Sequence, residues 1–187
     1  SQIAQLDIAT VGDAAHGVFL QSIGGGGGAG GSVTSGAAGG DLSANFSFGG
    51  TGGDGGSAGD VQFFADGQFT TLGDASHAIF LQSIGGGGVS LLNLSPITVR
   101  TTGASSTGLV MQSIGGGGGA GGSVHTTSTT DSNTKFSFGG SAASGGSGGG
   151  GGNSGLVSLG SSSQIAQLDI ATVGDAAHGV FLQSIGG

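Results

Sequence analysis

Three times along this chain an aspartate stands three residues ahead of a histidine: Asp13 and His16, Asp74 and His77, Asp175 and His178. A serine follows each histidine six residues later, at Ser22, Ser83 and Ser184. Together these are the residue types of a nucleophile, a general base and an orienting carboxylate. The context argues against acyl transfer. Each serine sits inside a strand-like FLQSI run, without the sharp strand-to-helix turn that exposes a nucleophile. Three equivalent catalytic sites in one short chain would also be unusual. A related segment carries Ala104 and Thr107 at the two positions, losing both members together. Joint loss fits a mutual contact, so the expectation is an Asp–His hydrogen bond that fixes a turn, no catalytic residue and no enzyme.

A second candidate is the segment GGDGGSAGDV over residues 52–61, whose Asp54 and Asp60 resemble the Gly-Asp repeats that hold Ca²⁺ in β-rolls. It has no second consecutive copy and no regular register, so a solvated acidic turn is favoured and no cofactor is expected, with Ca²⁺ at Asp54 and Asp60 as the weaker alternative. The first 162 residues hold eight Asp against Lys135 and Arg100, and the whole chain carries a net charge of −8. Cations should help assembly wherever such carboxylates align. With only two basic residues, neutralisation of a phosphate backbone is excluded, and nucleic acid is not an expected partner. There is no Cys, hence no disulfide and no thiolate metal site. No run of 18 apolar residues exists to cross a membrane as a helix, and the opening Ser1-Gln2-Ile3 lacks signal-peptide character. The ends read as cut from something longer.

What positions these residues is repetition. Residues 1–25, SQIAQLDIATVGDAAHGVFLQSIGG, return unchanged as residues 163–187, which predicts a tandem array of 162-residue periods: 1–162 is one full period and 163–187 begins the next. Within the period a shorter unit recurs as GDAAHGVFLQSIGGGGG, GDASHAIFLQSIGGGGV and GASSTGLVMQSIGGGGG, giving sub-repeats of about 1–71, 72–102 and 103–162. Gln21, Gln82, Gln112 and Gln183 mark one place, at spacings of 61, 30 and 71. The motif FSFGG recurs between them at an offset of 90, bringing Phe46 and Phe48 into correspondence with Phe136 and Phe138. The long spacings are therefore one layer plus a Gly-rich excursion, or two layers; the period holds about three layers or about five.

Gly and Pro supply 50 of 187 residues, in the range of low-complexity sequence, yet Leu, Ile, Val and Phe supply 44, enough for an ordered core. The apolar runs IAQLDIAT, GVFLQSI, VQFF, ITV and FSF are short, rich in β-branched or aromatic residues and bounded by Gly, Asp or Ser, which predicts strands. Glycine interrupts every window long enough for a helix. In GVFLQSI both strand faces are apolar, Val18, Leu20 and Ser22 on one and Phe19, Gln21 and Ile23 on the other, which suits a parallel sheet covered on both sides. The predicted fold is all-β: a right-handed parallel β-solenoid with Gly-rich corners and excursions, stacked as an array. Stacking at about 4.8 Å would build Gln21, Gln82, Gln112 and Gln183 into an amide ladder and Phe46, Phe48, Phe136 and Phe138 into aromatic stacks. The Gly runs read equally as close backbone packing or as flexible loops.

The string G-D-x-x-H-G-[VI]-x-x-Q-S-I-G-G-G-G-G resembles the Gly-rich tandem repeats in passenger regions of bacterial autotransporter-type surface proteins. Residues 12–28 match it throughout, residues 73–88 with Ala78 for the glycine, and residues 103–119 without the Asp and His. The resemblance implies an extracellular parallel β-solenoid on a Gram-negative surface. The function expected is structural: a filament or adhesin segment whose main partner is itself, axially and laterally, with any surface or glycan target additional. A β-helical carbohydrate-active enzyme or glycan-binding module is the alternative, but catalysis there would need a unique carboxylate pair. A flexible Gly-rich spacer is the third, and the repeated apolar strands oppose it.

Overall fold

The computed structural model describes residues 4–39, 42–130, 138–160 and 167–186. Among them there is no helix, and every strand pairing is parallel. The chain divides into two compact units that interleave in sequence: one formed by residues 1–25, 57–116 and 152–187, the other by residues 26–56 and 117–151.

In the first unit, β2 (Val18–Ile23), β6 (Ile79–Ile84), β9 (Leu109–Ile114) and β14 (Val180–Ile185) form one sheet in that order. Each copy of the QSI motif pairs with the next without a slip, Gln21 with Gln82, Gln82 with Gln112 and Gln112 with Gln183. A one-residue slip would turn each strand's inward face to solvent, so the inward apolar set holds the register. That set is Ile79 and Leu81 on β6 and Leu109 and Met111 on β9, all buried, with Ser83 and Ser113 buried on the same face. Of the two faces of β2, the outer one leaves Phe19 and Ile23 exposed.

A second sheet runs through β1 (Ala4–Thr10), β5 (Val61–Thr71), β8 (Ile97–Thr101) and β13 (Leu168–Thr172). Strand β5 also belongs to a third set: its first residues, Val61 to Phe64, pair with β7 (Val89–Leu92), which pairs with β12 (Val157–Leu159). The sheet curls within β5 next to Gly67, whose φ of 130° is closed to side-chain-bearing residues. Inward residues of all three sets, among them Phe63, Phe69, Leu91, Ile97 and Val99, meet Ile79, Leu81 and Met111 in one cluster. Residues 1–162 thus contribute three strands to the Gln-bearing sheet, and each long spacing is one layer plus an excursion.

The excursions make up the second unit. There β3 (Val33–Gly39) pairs with β10 (Val124–Thr130), and β4 (Leu42–Phe48) with β11 (Phe138–Ser144). Around them the Gly runs are hydrogen-bonded segment to segment every third residue. Gly27, Gly30 and Val33 donate to Gly117, Ala120 and Ser123; Gly50 and Gly53 donate to Gly31 and Gly28; Gly119 and Gly122 donate to Gly53 and Gly50; Gly146 and Gly149 donate to Gly122 and Gly119. A three-residue period without bonds inside a segment is that of the polyproline II helix. The runs are therefore close-packed backbone, not loops: a Cβ on Gly27, Gly30, Gly119, Gly122 or Gly149 would run into a neighbouring segment's carbonyl.

The Phe motifs do not align across β4 and β11. Phe138 pairs with Leu42, Phe46 with Ala142 and Phe48 with Ser144, an offset of 96 instead of the 90 that separates the motifs. The connection from β10 to β11 spans seven residues where that from β3 to β4 spans two, and the added length shifts the register. The expected stacking of Phe46 on Phe136 and Phe48 on Phe138 is thereby corrected for Phe48 and Phe138, while Phe136 lies outside the described residues.

Candidate functional site

The chemistry-bearing residues gather on one turn and the strand after it, repeated four times in the first unit. In each copy the second residue after the glycine adopts a left-handed conformation, with φ of 54° at Ala14, 52° at Ala75, 56° at Ser105 and 53° at Ala176. A side-chain-bearing residue there costs about 1–2 kcal/mol, so the turn must be held. One holder is a threonine overlooked in the sequence: Thr10, Thr71, Thr101 and Thr172 each donate from Oγ1 to the carbonyl five residues on, at 2.6, 2.6, 2.7 and 3.2 Å. Its signal was available, because T-x-G survives even in the copy that loses Asp and His. Buried Ser76 and Ser106 add bonds between copies, Ser76 N–H donating to Ser106 Oγ at 2.9 Å and Ser106 Oγ to the Gly73 carbonyl at 2.8 Å.

The expected Asp–His bond within the turn, for Asp13 with His16, Asp74 with His77 and Asp175 with His178, is not made among the described residues. In the first two pairs both side chains reach along the stack to the next copy instead. Asp13 Oδ1 accepts the Asp74 N–H at 2.9 Å and Asp74 Oδ1 the Ala104 N–H at 2.7 Å. His16 Nδ1 accepts the His77 N–H at 3.1 Å and His77 Nδ1 the Thr107 N–H at 3.0 Å. The reason is backbone satisfaction: the turn interrupts the β ladder, and a side-chain acceptor replaces the missing carbonyl. Ala104 and Thr107 receive such bonds without passing them on.

Beyond the turn, the glutamine amides form a continuous ladder. Gln21 Nε2 donates to Gln82 Oε1 at 2.6 Å, Gln82 to Gln112 at 2.9 Å and Gln112 to Gln183 at 3.1 Å. Rings stack beside it: His16 on His77 with centroids 5.1 Å apart, and Phe19 on Phe80 at 4.9 Å. The serines that follow the three histidines bind corner backbone: Ser22 Oγ accepts the Gly59 N–H at 3.0 Å, Ser83 Oγ donates to the Gly59 carbonyl at 3.2 Å and Ser184 Oγ to that of Gly155 at 3.1 Å. Asp60 accepts the Gly88 N–H at 2.6 Å, and Asp54, in the other unit, accepts that of Gly150 at 2.8 Å. Among the described residues no three His, Cys, Asp or Glu side chains come together as a metal-holding group. On the surface, Arg100 forks onto Asp169 at 2.7 and 3.3 Å and holds that carboxyl below the usual aspartate range.

No protein-family model, curated protein or solved structure matches the chain.

Protonation of His77 makes stability depend on pH. Burial pushes the His77 imidazole below its ordinary value of 6.5, and neighbouring His16 adds to the effect. Only a neutral ring can accept at Nδ1, so protonation breaks the bond from Thr107. The unfolded chain takes up this proton first, near pH 6.5, so the contribution is complete above that pH and is lost as pH falls toward and through the lower folded value. The thermal midpoint should be flat above about pH 6.5 and drop as the pH falls below it. A His77→Asn chain, which retains an acceptor but no titrating ring, should show a smaller drop over the same range.

Proposed function

We propose that this chain is a structural repeat segment of a long extracellular filament or adhesin on a Gram-negative bacterial surface, of the autotransporter passenger type that its QSIGGGGG repeats resemble. In this reading the first unit is a parallel β-solenoid, each repeat copy forms one coil, and self-association along the stack is its main binding event. The observation that carries the reading is the pairing register. Like residues meet like residues at offsets of 61, 30 and 71, which together equal the 162-residue sequence period. A fourth coil with the sequence of the first already sits on the third, so the pattern contains its own continuation. Such a translational repeat never closes on itself and so generates length. The glutamine ladder, threonine clasps and axial Asp and His bonds serve coil-on-coil cohesion, and none of them needs a substrate.

The test is the axial increment. Chains carrying one, two and four tandem periods, imaged by cryo-electron microscopy, should lengthen by about 14 Å per added 162 residues, three coils at about 4.8 Å each. A chain that thickens without lengthening, or that grows by about 24 Å as five coils would, overturns the reading.

A further inference from the structure

One face of the Gln-bearing sheet carries a ring ladder with a single gap. The second and fourth copies present His77 with Phe80 and His178 with Phe181, their ring centroids 5.6 and 6.1 Å apart. The third copy, between them, presents Thr107 and Val110 at the same register. The two missing rings leave a cleft of about 270 Å³, walled by the two aromatic pairs and floored by Val110. Thr107 is only 5% exposed. Its backbone N–H is taken by His77 Nδ1. Its side chain lines this cleft. A hydroxyl at the mouth of a cleft can exchange its water for a ligand hydroxyl.

We propose that this cleft is a binding site for one neutral pyranose unit of a glycan, recurring once per 162-residue period. The proposal goes beyond the structural function above and does not depend on it. Three features select the ligand. First, Phe80 and Phe181 are two layers apart, roughly 9.6 Å at the strand spacing. Carbon contacts of about 3.5–4.0 Å on each side use roughly 7–8 Å of that, and the remainder takes the thickness of one puckered sugar ring. Second, the polar groups are hydroxyl-seeking: the Thr107 hydroxyl, the Ser105 hydroxyl and the Nε2–H of His77, whose Nδ1 is occupied as an acceptor. Third, no carboxylate and no Lys or Arg lines the cleft. A cationic headgroup would find aromatic faces but no counter-charge, and an anionic sugar would meet a chain of net charge −8.

The test is an NMR titration of the isotopically labelled full chain with neutral gluco-, galacto- and manno-oligosaccharides, alongside choline and N-acetyl-tyrosinamide. At least one neutral oligosaccharide should shift the Thr107, Phe80 and Phe181 signals and saturate in the millimolar range. Val110→Phe fills the gap with the residue that the other three copies carry, so it should fold with unchanged circular dichroism and weaken binding at least tenfold. Thr107→Val should weaken binding roughly tenfold, as expected for a lost hydrogen bond, and carries the test if the filled chain does not fold. The proposal is overturned if no neutral oligosaccharide moves these signals, if only choline or the tyrosine analogue does, or if both variants bind as tightly as the parent.

Discussion

Gly27→Ala should unfold the unit built from residues 26–56 and 117–151, whereas Gly28→Ala, one residue along, should leave it intact or slightly more stable. The new Cβ at Gly27 would fall on the Gly53 carbonyl, the Gly119 nitrogen and the Gly118 carbonyl carbon, all backbone, so no side chain can rotate away. Overpacking of this kind costs about 3 kcal/mol, and among the described residues of this unit there is no buried apolar side chain to absorb it. At Gly28 nothing lies within 4 Å of the added methyl. There the reduced freedom of the unfolded chain contributes about 0.4–1 kcal/mol of stabilisation. Hydrogen exchange at the Gly53 and Gly119 amides, donors to Gly28 and Gly53, is the readout, because circular dichroism scarcely distinguishes a polyproline II bundle from coil. Equal loss of protection in both chains would disprove the three-residue packing.

Leu81→Ala should cost the first unit about 2–5 kcal/mol, the range for a fully buried leucine replaced by a cavity. Leu81 has no exposed surface, and its register neighbours are Leu20 and Met111 on the adjacent strands. Leu20 is the same residue of the same motif but is 36% exposed, so Leu20→Ala should cost markedly less. Urea midpoints at unchanged m-value measure both. The comparison isolates place in the stack from residue type: if the two losses are equal, the interior assigned here to Ile79, Leu81 and Met111 is wrong.

Much of the first unit was legible because a repeat supplies its own alignment. Four QSI motifs at one place imply four equivalent environments, and a two-residue side-chain period with apolar residues on both faces implies a parallel strand. The Gln ladder follows once like strands are neighbours. The Asp and His partners did not follow. Their joint absence at Ala104 and Thr107 reads equally as a contact within one turn or as two parallel contacts to the next, and only the left-handed residue at Ala14 and its counterparts aims both side chains along the stack. The same ambiguity hid Thr10, Thr71, Thr101 and Thr172, whose shared position was visible while its acceptor, five residues on across a turn, was not. The FSF motifs show the opposite failure, where identical local sequence met the register of longer connections.

By itself the sequence determined the all-β class, the offset of 162 at which its first 25 residues return, and the four QSI strands with the residues that lie side by side in them, since these depend on local pattern and on translation by a repeat. The tertiary structure decided where the glycines go. A glycine has no side chain to report its neighbours, so whether it turns a corner, packs against another backbone or swings free depends on segments distant in the chain. Here Gly27, Gly53 and Gly119 pack together across a sequence span of 92 residues. It also decided that the one copy lacking its ring pair leaves an open cleft between two others, because a missing side chain acquires a shape only from the neighbours that remain.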